Sequence, residues 1–90
     1  MLKEKRMTIE QMLKIQRELD RCRAYSDNVC TVEGINYDSG TRGIAFNHVG
    51  FRYPNKIKSI YIYDWEEPEV IEEKVNKIKD VIAGEVLIDE

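Results

Sequence analysis

The sequence predicts an α+β fold in the order α-β-β-β-α, built as a single domain over residues 1–90. Residues 56–65 alternate in the manner of a β-strand and are rich in Ile and Tyr. Apolar residues recur with helical spacing near both ends of the chain. Short connections between the strands predict a three-stranded antiparallel meander, and two one-sided helices can both pack on one face of it. The alternative places one helix on each face.

The first helix is predicted to run over Ile9–Ala24. Thr8 is a suitable N-cap, and Gln11 follows three residues later, where the partner of a capping box belongs. A polar turn over residues 25–28 ends the helix. Its apolar side chains fall within about half of the helical wheel, and they are Ile9, Met12, Leu13, Ile15, Leu19 and Cys22.

Three strands are predicted over residues 29–37, 44–53 and 56–65, separated by a glycine-rich turn at 38–43 and a tight turn around Pro54. Successive strand residues point to opposite faces of a sheet. The face assigned to the core comprises Cys30, Val32, Ile44, Phe46, Ile60 and Ile62. The other face comprises Tyr37, Asn47, Val49, Phe51, Tyr53, Ser59, Tyr61 and Tyr63.

The second helix is predicted to start after Asp64 or Glu66 as N-cap, with Pro68 in its first turn, and to end at Gly84 as the C′ residue. Its apolar stripe consists of Val70, Ile71, Val75, Ile78, Val81 and Ile82. Residues 86–88, Val-Leu-Ile, are interpreted as a short fourth strand or an apolar tail.

The composition excludes several classes of protein. Charged residues make up 34% of the chain and hydrophobic residues 42%, as in a folded globular domain and not a disordered one. No apolar run is long enough to cross a membrane, and the N-terminus lacks the apolar stretch of a secretory signal. We therefore expect a cytoplasmic protein. In that compartment Cys22 and Cys30 are expected as reduced thiols, and their spacing predicts no metal site.

The tyrosine-rich face is the most informative feature for function. A small monomer seldom leaves so large an aromatic patch in water, and protein interfaces favour aromatic residues. The patch predicts a homo-oligomer that assembles through its sheet, with interface residues Tyr37, Phe51, Tyr53, Tyr61 and Tyr63. His48 is the only histidine, and no residue is placed by sequence to complete a catalytic triad with it. We expect a non-enzymatic binding protein without a cofactor.

The charge distribution suggests a competing role. Residues 1–25 carry seven Lys/Arg against four Asp/Glu, whereas residues 65–90 carry three Lys against nine Asp/Glu. An acidic chain is poorly suited to bind nucleic acid itself. Its acidic helix can instead occupy the basic groove of a nucleic-acid-binding enzyme, as a phage-type inhibitor of host defence does. The acidic partner face consists of Glu69, Glu72, Glu73 and Asp80.

A third hypothesis is a protein that sequesters a small nucleotide. The turn over residues 38–43 contains two glycines, whose backbone N–H groups can approach a phosphate, and Arg42 adds a positive charge. Arg52 is the second candidate phosphate contact, and the tyrosines would hold the base. The turn matches neither a P-loop nor a dinucleotide-binding fingerprint.

Overall fold

A computed structural model describes residues 6–88, so residues 1–5 and 89–90 of the predicted domain lie outside the described part of the chain. Its elements follow the order α-β-β-β-α, which confirms the prediction. They are helix α1 (Ile9–Ala24), strands β1 (Cys30–Asn36), β2 (Arg42–Val49) and β3 (Ile57–Tyr63), and helix α2 (Pro68–Ile82). The strands form one antiparallel sheet in the order β1-β2-β3.

Both helices pack on the same face of the sheet. Leu19 of α1 and Ile78 of α2 are fully buried in one cluster with Phe46 of the central strand. In the register, Phe46 lies beside Ile60, and Ile44 lies beside Ile62. The core therefore forms between the helical layer and one face of the sheet, as the alternation of the strands predicts.

Helix α1 has the predicted bounds because its first turn is closed by a capping box. The Thr8 hydroxyl accepts a hydrogen bond from the Gln11 backbone N–H at 3.1 Å. The Gln11 side-chain oxygen accepts one in return from the Thr8 N–H at 2.8 Å. Two otherwise unpaired donors at the helix N-terminus are thereby satisfied. Met12 and Leu19 then point into the core.

Helix α2 begins differently from the prediction. Its N-cap is Glu67, which makes no side-chain capping bond, and Pro68 follows in the first turn as expected. Asp64 does not cap the helix because it is buried at the end of β3, where its carboxylate accepts the backbone N–H of Arg42 at 3.2 Å. Glu66 does not cap it either, because its carboxylate accepts the N–H of Tyr63. A long-range contact to Arg42 therefore occupies Asp64, and a local contact to Tyr63 occupies Glu66.

The chain beyond α2 turns at Gly84, whose φ of +83° is the left-handed conformation expected for a C′ glycine. Residues 86–88 form no strand, so the apolar-tail interpretation applies to this described segment. Ile88 is buried, and its backbone N–H donates to the Tyr53 hydroxyl at 2.9 Å. This bond attaches the tail to the connection between β2 and β3.

Strand β2 is shorter than predicted. It ends at Val49, and residues 50–56 form a turn-rich connection to β3. Within it the predicted tight turn is present, because the Lys56 N–H donates to the Tyr53 carbonyl at 2.9 Å with Pro54 between them. Side-chain alternation therefore stops before Tyr53.

A row of polar side chains crosses the sheet on the face away from the helices. Asn47 of β2 lies between Thr31 of β1 and Ser59 of β3 in the register. Its amide group donates to the Thr31 hydroxyl at 3.0 Å, and its carbonyl oxygen accepts from the Ser59 hydroxyl. One side chain thus bonds to both neighbouring strands.

Candidate interaction surface

The face of the sheet that points away from both helices has no described element packed on it, and we refer to it as the open face. It is built by alternate residues of the three strands and by one residue beyond each of β1 and β3. Its members are Thr31, Glu33, Ile35, Tyr37, Gly43, Ala45, Asn47, Val49, Ile57, Ser59, Tyr61, Tyr63 and Trp65.

Four rings form a continuous aromatic cluster at one end of the open face, namely Tyr37, Tyr61, Tyr63 and Trp65. Tyr63 stacks on Trp65 with ring centroids 5.4 Å apart and planes 7° from parallel. Tyr61 stacks on Tyr63 at 6.3 Å. Tyr61 is 43% exposed and Trp65 52%, so the cluster is ordered by ring contacts while much of its area faces water.

The central strand makes room for the cluster. A Cβ atom at Gly43 would lie 3.1 Å from Cε2 of Tyr37, so glycine allows that ring to lie against the sheet beside Tyr63. The centroids of the two rings are 6.0 Å apart. Desolvation raises the pKa of the Tyr37 hydroxyl, and the neighbouring Tyr63 raises it further, so this hydroxyl stays neutral at ordinary pH.

The chemistry of the open face favours apolar contact. Glu33 is its only charged side chain among those defined above. The aromatic cluster occupies one end, and Val49 and Ile57 form an aliphatic pair at the other end, where they are directly opposite in the register. None of the face residues defined above is a cation, although Lys74 Nζ of α2 lies 5.8 Å from the centroid of the Tyr63 ring, where it is bonded to Glu66. Such a surface is suited to packing against another apolar surface.

The interface residues predicted from sequence are only partly brought together. Tyr37, Tyr61 and Tyr63 lie on the open face, and Phe51 is 95% exposed in the connection after β2. The placement of Tyr53 on this face is corrected, since its side chain is 4% exposed in the core. The prediction extended strand alternation past Val49, where the strand ends.

Sequence reasoning missed Trp65, which completes the aromatic cluster. The signal for it was present, because Trp65 continues the every-second-residue series of Tyr61 and Tyr63 just beyond the end of β3. The predicted strand over residues 56–65 includes Trp65, but the face residues named from it end at Tyr63.

The acidic side chains predicted to meet a partner are all exposed. Glu69, Glu72, Glu73 and Asp80 lie along α2, whose buried side is formed by Ile71, Ile78, Val81 and Ile82. An ion pair joins the two helices, with Lys79 Nζ of α2 2.6 Å from Glu18 Oε2 of α1. It links a cation of the acidic helix to an anion of the basic one.

The two arginines proposed to hold a phosphate lie far apart. Arg42 begins β2, and Arg52 follows its other end, beyond a strand about 24 Å long at the rise of antiparallel strands. The Arg42 guanidinium donates to the Asn36 side-chain oxygen at 2.8 Å. No site within one subunit can therefore use both arginines together.

His48 is buried on the core face and belongs to a chain of hydrogen bonds. The Tyr53 hydroxyl accepts the N–H of Ile88 at 2.9 Å and also forms a hydrogen bond with His48 Nδ1, 2.7 Å away. Burial lowers the pKa of His48, which keeps the imidazole neutral. These contacts give the histidine a structural role in holding the C-terminal tail.

A hollow between the helices and the two cysteines indicate no particular function. A hollow of about 860 Å³ lies between the C-terminal ends of the two helices and is open to solvent, lined by Arg21, Tyr25 and Lys79 among others. Cys22 and Cys30 are free, and burial raises the pKa of the Cys30 thiol. Among residues 6–88, no group of three or more His, Cys, Asp and Glu side chains is arranged to hold a metal ion.

Comparison with protein-family models, with curated proteins and with solved structures finds no match for this chain. Within the described residues, neither helix has the length and apolar character needed to cross a membrane.

Proposed function

We propose that this chain is a small non-enzymatic binding protein that self-associates through its open face. The observation that supports the proposal is the exposed aromatic cluster. Both helices pack on the opposite face of the sheet. From α2, Lys74 Nζ reaches to 5.8 Å from the centroid of the Tyr63 ring, and much of Tyr61 and Trp65 stays exposed. A second subunit can cover them and remove their apolar area from water.

The second subunit is a copy of the same chain because the surface complements itself. Two sheets that pack face to face align their strands to within about 30°. When they are related by a two-fold axis across the strands, the aromatic cluster of one copy meets the aliphatic end of the other. The single charge at Glu33 leaves the rest of the contact uncharged. Glu33 is level with Ala45, midway between the two ends, so the two Glu33 side chains come near each other on the outer strand, and their repulsion opposes the pairing at that one point.

The size of the open face sets what the interface needs. Three strands and the nine residues 57–65 give a flat footprint of about 400 Å², from ordinary strand spacing and rise. A stable interface buries about 800 Å² of accessible surface per partner. The side chains that project from the sheet, together with the flanking Phe51, which is 95% exposed, must supply the remaining buried area.

The test is the solution mass, measured by light scattering over a range of micromolar concentrations. The wild type should give at least twice the chain mass of 10.6 kDa. Tyr61→Ala should lower the assembled fraction. Tyr25→Ala is the matched control, because Tyr25 is 83% exposed at the end of α1 and lies away from the open face. A wild type that stays monomeric on concentration contradicts the proposal, and so does an equal effect of both variants.

The exposed acidic side of α2 supports a second candidate function. Glu69, Glu72, Glu73 and Asp80 are free of the core and can face a basic groove, so we propose inhibition of a nucleic-acid-binding enzyme as the alternative. Electrostatic steering would raise the association rate at low salt. The test measures that rate against salt concentration for a basic, nucleic-acid-binding protein captured by pull-down.

The test compares two double variants, each of which replaces two glutamates by lysine. Glu72→Lys with Glu73→Lys should slow association and flatten its salt dependence, because the pair lies on the acidic side of α2. Glu10→Lys with Glu85→Lys changes the net charge equally at exposed positions outside α2. Equal rates for the two double variants would show that net charge alone matters and that α2 is not the contact.

A further inference from the structure

The outer edge of β1 has backbone groups that are free to pair with another strand. Val49 N–H donates to the Val29 carbonyl, and Tyr37 N–H donates to the Thr41 carbonyl, each at 2.9 Å. Bonded pairs alternate along an antiparallel ladder, so the odd-numbered residues of β1 bond to β2. The even-numbered residues, which are Cys30, Val32, Gly34 and Asn36, point their N–H and C=O groups outward.

Little on β1 discourages such pairing. Within residues 6–88, no hydrogen bond from another protein group reaches these outward backbone groups. Gly34 and Asn36 are exposed, and the strand contains no proline and no lysine. Proline and lysine are two of the devices by which proteins protect an edge strand.

The outer edge of β3 is blocked over half of its length. The same alternation turns the odd-numbered residues of β3 outward, since Asp64 N–H donates to the Arg42 carbonyl. The Tyr63 N–H donates to Glu66 Oε1 at 2.8 Å, and the Tyr63 carbonyl accepts the Glu66 N–H at 3.1 Å. Lys74 Nζ reaches from α2 to the Tyr61 carbonyl at 2.7 Å and to Glu66 Oε2 at 2.6 Å.

This asymmetry decides which pairing between copies can form. Pairing of β1 with β3 of another copy would add subunits without limit, and the contacts of Glu66 and Lys74 obstruct it. Pairing of β1 with β1 of a second copy closes after two chains. We infer that the β1 edge is a self-association site, at which two copies join antiparallel into one six-stranded sheet.

The charge of Glu33 disfavours one register, and Gly34 favours another. If the two strands were centred on Glu33, the carboxylates of both copies would be directly opposite each other, which is unfavourable. A register centred on Gly34 sets Glu33 beside Ile35 of the second copy and keeps the even-numbered residues hydrogen-bonded. Gly34 has no side chain, so the two backbones can approach closely at the axis.

The edge contact goes beyond the open-face contact and does not require it. Joining two sheets at β1 places their open faces side by side, and both remain accessible. The two contacts can therefore be tested separately. In the Tyr61→Ala variant, which weakens the open face, the edge pairing should still give a species of twice the chain mass at sufficient concentration.

Amide hydrogen exchange followed by NMR gives the direct test. The N–H groups of Val32 and Gly34 point outward, and those of Glu33 and Ile35 bond to β2, so the latter are internal controls. Edge pairing should slow exchange at Val32 and Gly34 as the Tyr61→Ala variant is concentrated, while the controls stay protected throughout. Fast exchange at the outward amides at every concentration overturns the inference, whatever the wild-type mass shows about the open face.

Two substitutions at Gly34 provide a matched test by mass. A Cβ atom there would lie 2.6 Å from Gln16 Oε1, so both Gly34→Val and Gly34→Pro must displace that flexible side chain. Only proline lacks the outward N–H. In the Tyr61→Ala background, Gly34→Pro should weaken dimerisation at least tenfold relative to Gly34→Val.

Circular dichroism is used to check that both Gly34 variants are folded. Equal dimerisation of the two folded variants contradicts the inference. If the proline variant does not fold, the exchange rates at Val32 and Gly34 decide the question.

Discussion

Replacement of Ile62 by Ala, compared with the same change at Tyr61, tests the division of β3 between a core face and an open face. The side chain of Ile62 is 0% exposed, and that of the adjacent Tyr61 is 43% exposed. Ile62→Ala removes buried methyl groups and leaves a cavity between the sheet and the helices. The expected cost is about 2–4 kcal/mol. Tyr61→Ala should cost less than about half of that within one subunit, because much of its ring is already in water.

The loss is large on the scale of a domain this small. A chain of this size is expected to have a free energy of unfolding of about 5–9 kcal/mol. At about 4–8 °C per kcal/mol, the loss of about 2–4 kcal/mol should lower the melting temperature of Ile62→Ala by roughly 8–32 °C. It should leave assembly of the folded fraction intact, whereas Tyr61→Ala should weaken assembly.

Urea unfolding followed by circular dichroism measures both variants. Several protein concentrations are needed, so that the stability of the subunit is separated from that of the assembly. A similar slope of free energy against urea in all forms would show that the same structure unfolds. Equal losses of subunit stability from the two substitutions would refute the reasoning, since both faces of β3 would then be buried within one subunit.

Two further predictions concern pH and the β3 edge. Burial lowers the pKa of His48, so the unfolded state binds a proton first as pH falls below about 6.5. The contribution of His48 to stability should be complete above that pH and decline below it in the wild type. His48→Gln keeps a hydrogen-bond partner for the Tyr53 hydroxyl, so its urea midpoint should change less between pH 7.5 and 5.5 than that of the wild type. Lys74→Met removes the ammonium from the Tyr61 carbonyl, so sedimentation should detect larger, concentration-dependent assemblies. The control variant Asn76→Met, at an exposed position of α2, should not form them. If Lys74→Met also forms no such assemblies, Lys74 does not prevent pairing at the outer edge of β3.

Local signals in the sequence were sufficient for much of the fold. The capping box of Thr8 and Gln11 sets the start of α1 because it requires only residues three apart. The alternation over residues 57–63 separates the core face from the open face because one period of two governs the whole strand. These features depend on neighbours along the chain, so no knowledge of the tertiary structure is needed.

Features set by distant residues could not be predicted in the same way. Asp64 resembles an N-cap in sequence, but its pairing with the backbone of Arg42, twenty-two residues away, assigns it to the sheet. The alternation in the sequence places Tyr53 on the open face, but its hydroxyl bonds to His48 and to the Ile88 N–H, and its side chain lies in the core. The contact of Lys74 with the β3 edge depends on how α2 lies across the sheet, which no local pattern encodes.

The row of Thr31, Asn47 and Ser59 has a consequence for how the strands find their alignment during folding. Alternation of apolar residues penalises a slip by one position, but a slip by two returns every side chain to its proper face. Asn47 distinguishes the correct alignment from that slip, because its amide matches hydroxyls on both sides at once. A hairpin formed two positions out of line would place the amide opposite Val29 or Glu33 on β1 and opposite Ile57 or Tyr61 on β3. We therefore expect Asn47 to favour the correct alignment of both hairpins, and its replacement by Val should increase misaligned species during refolding.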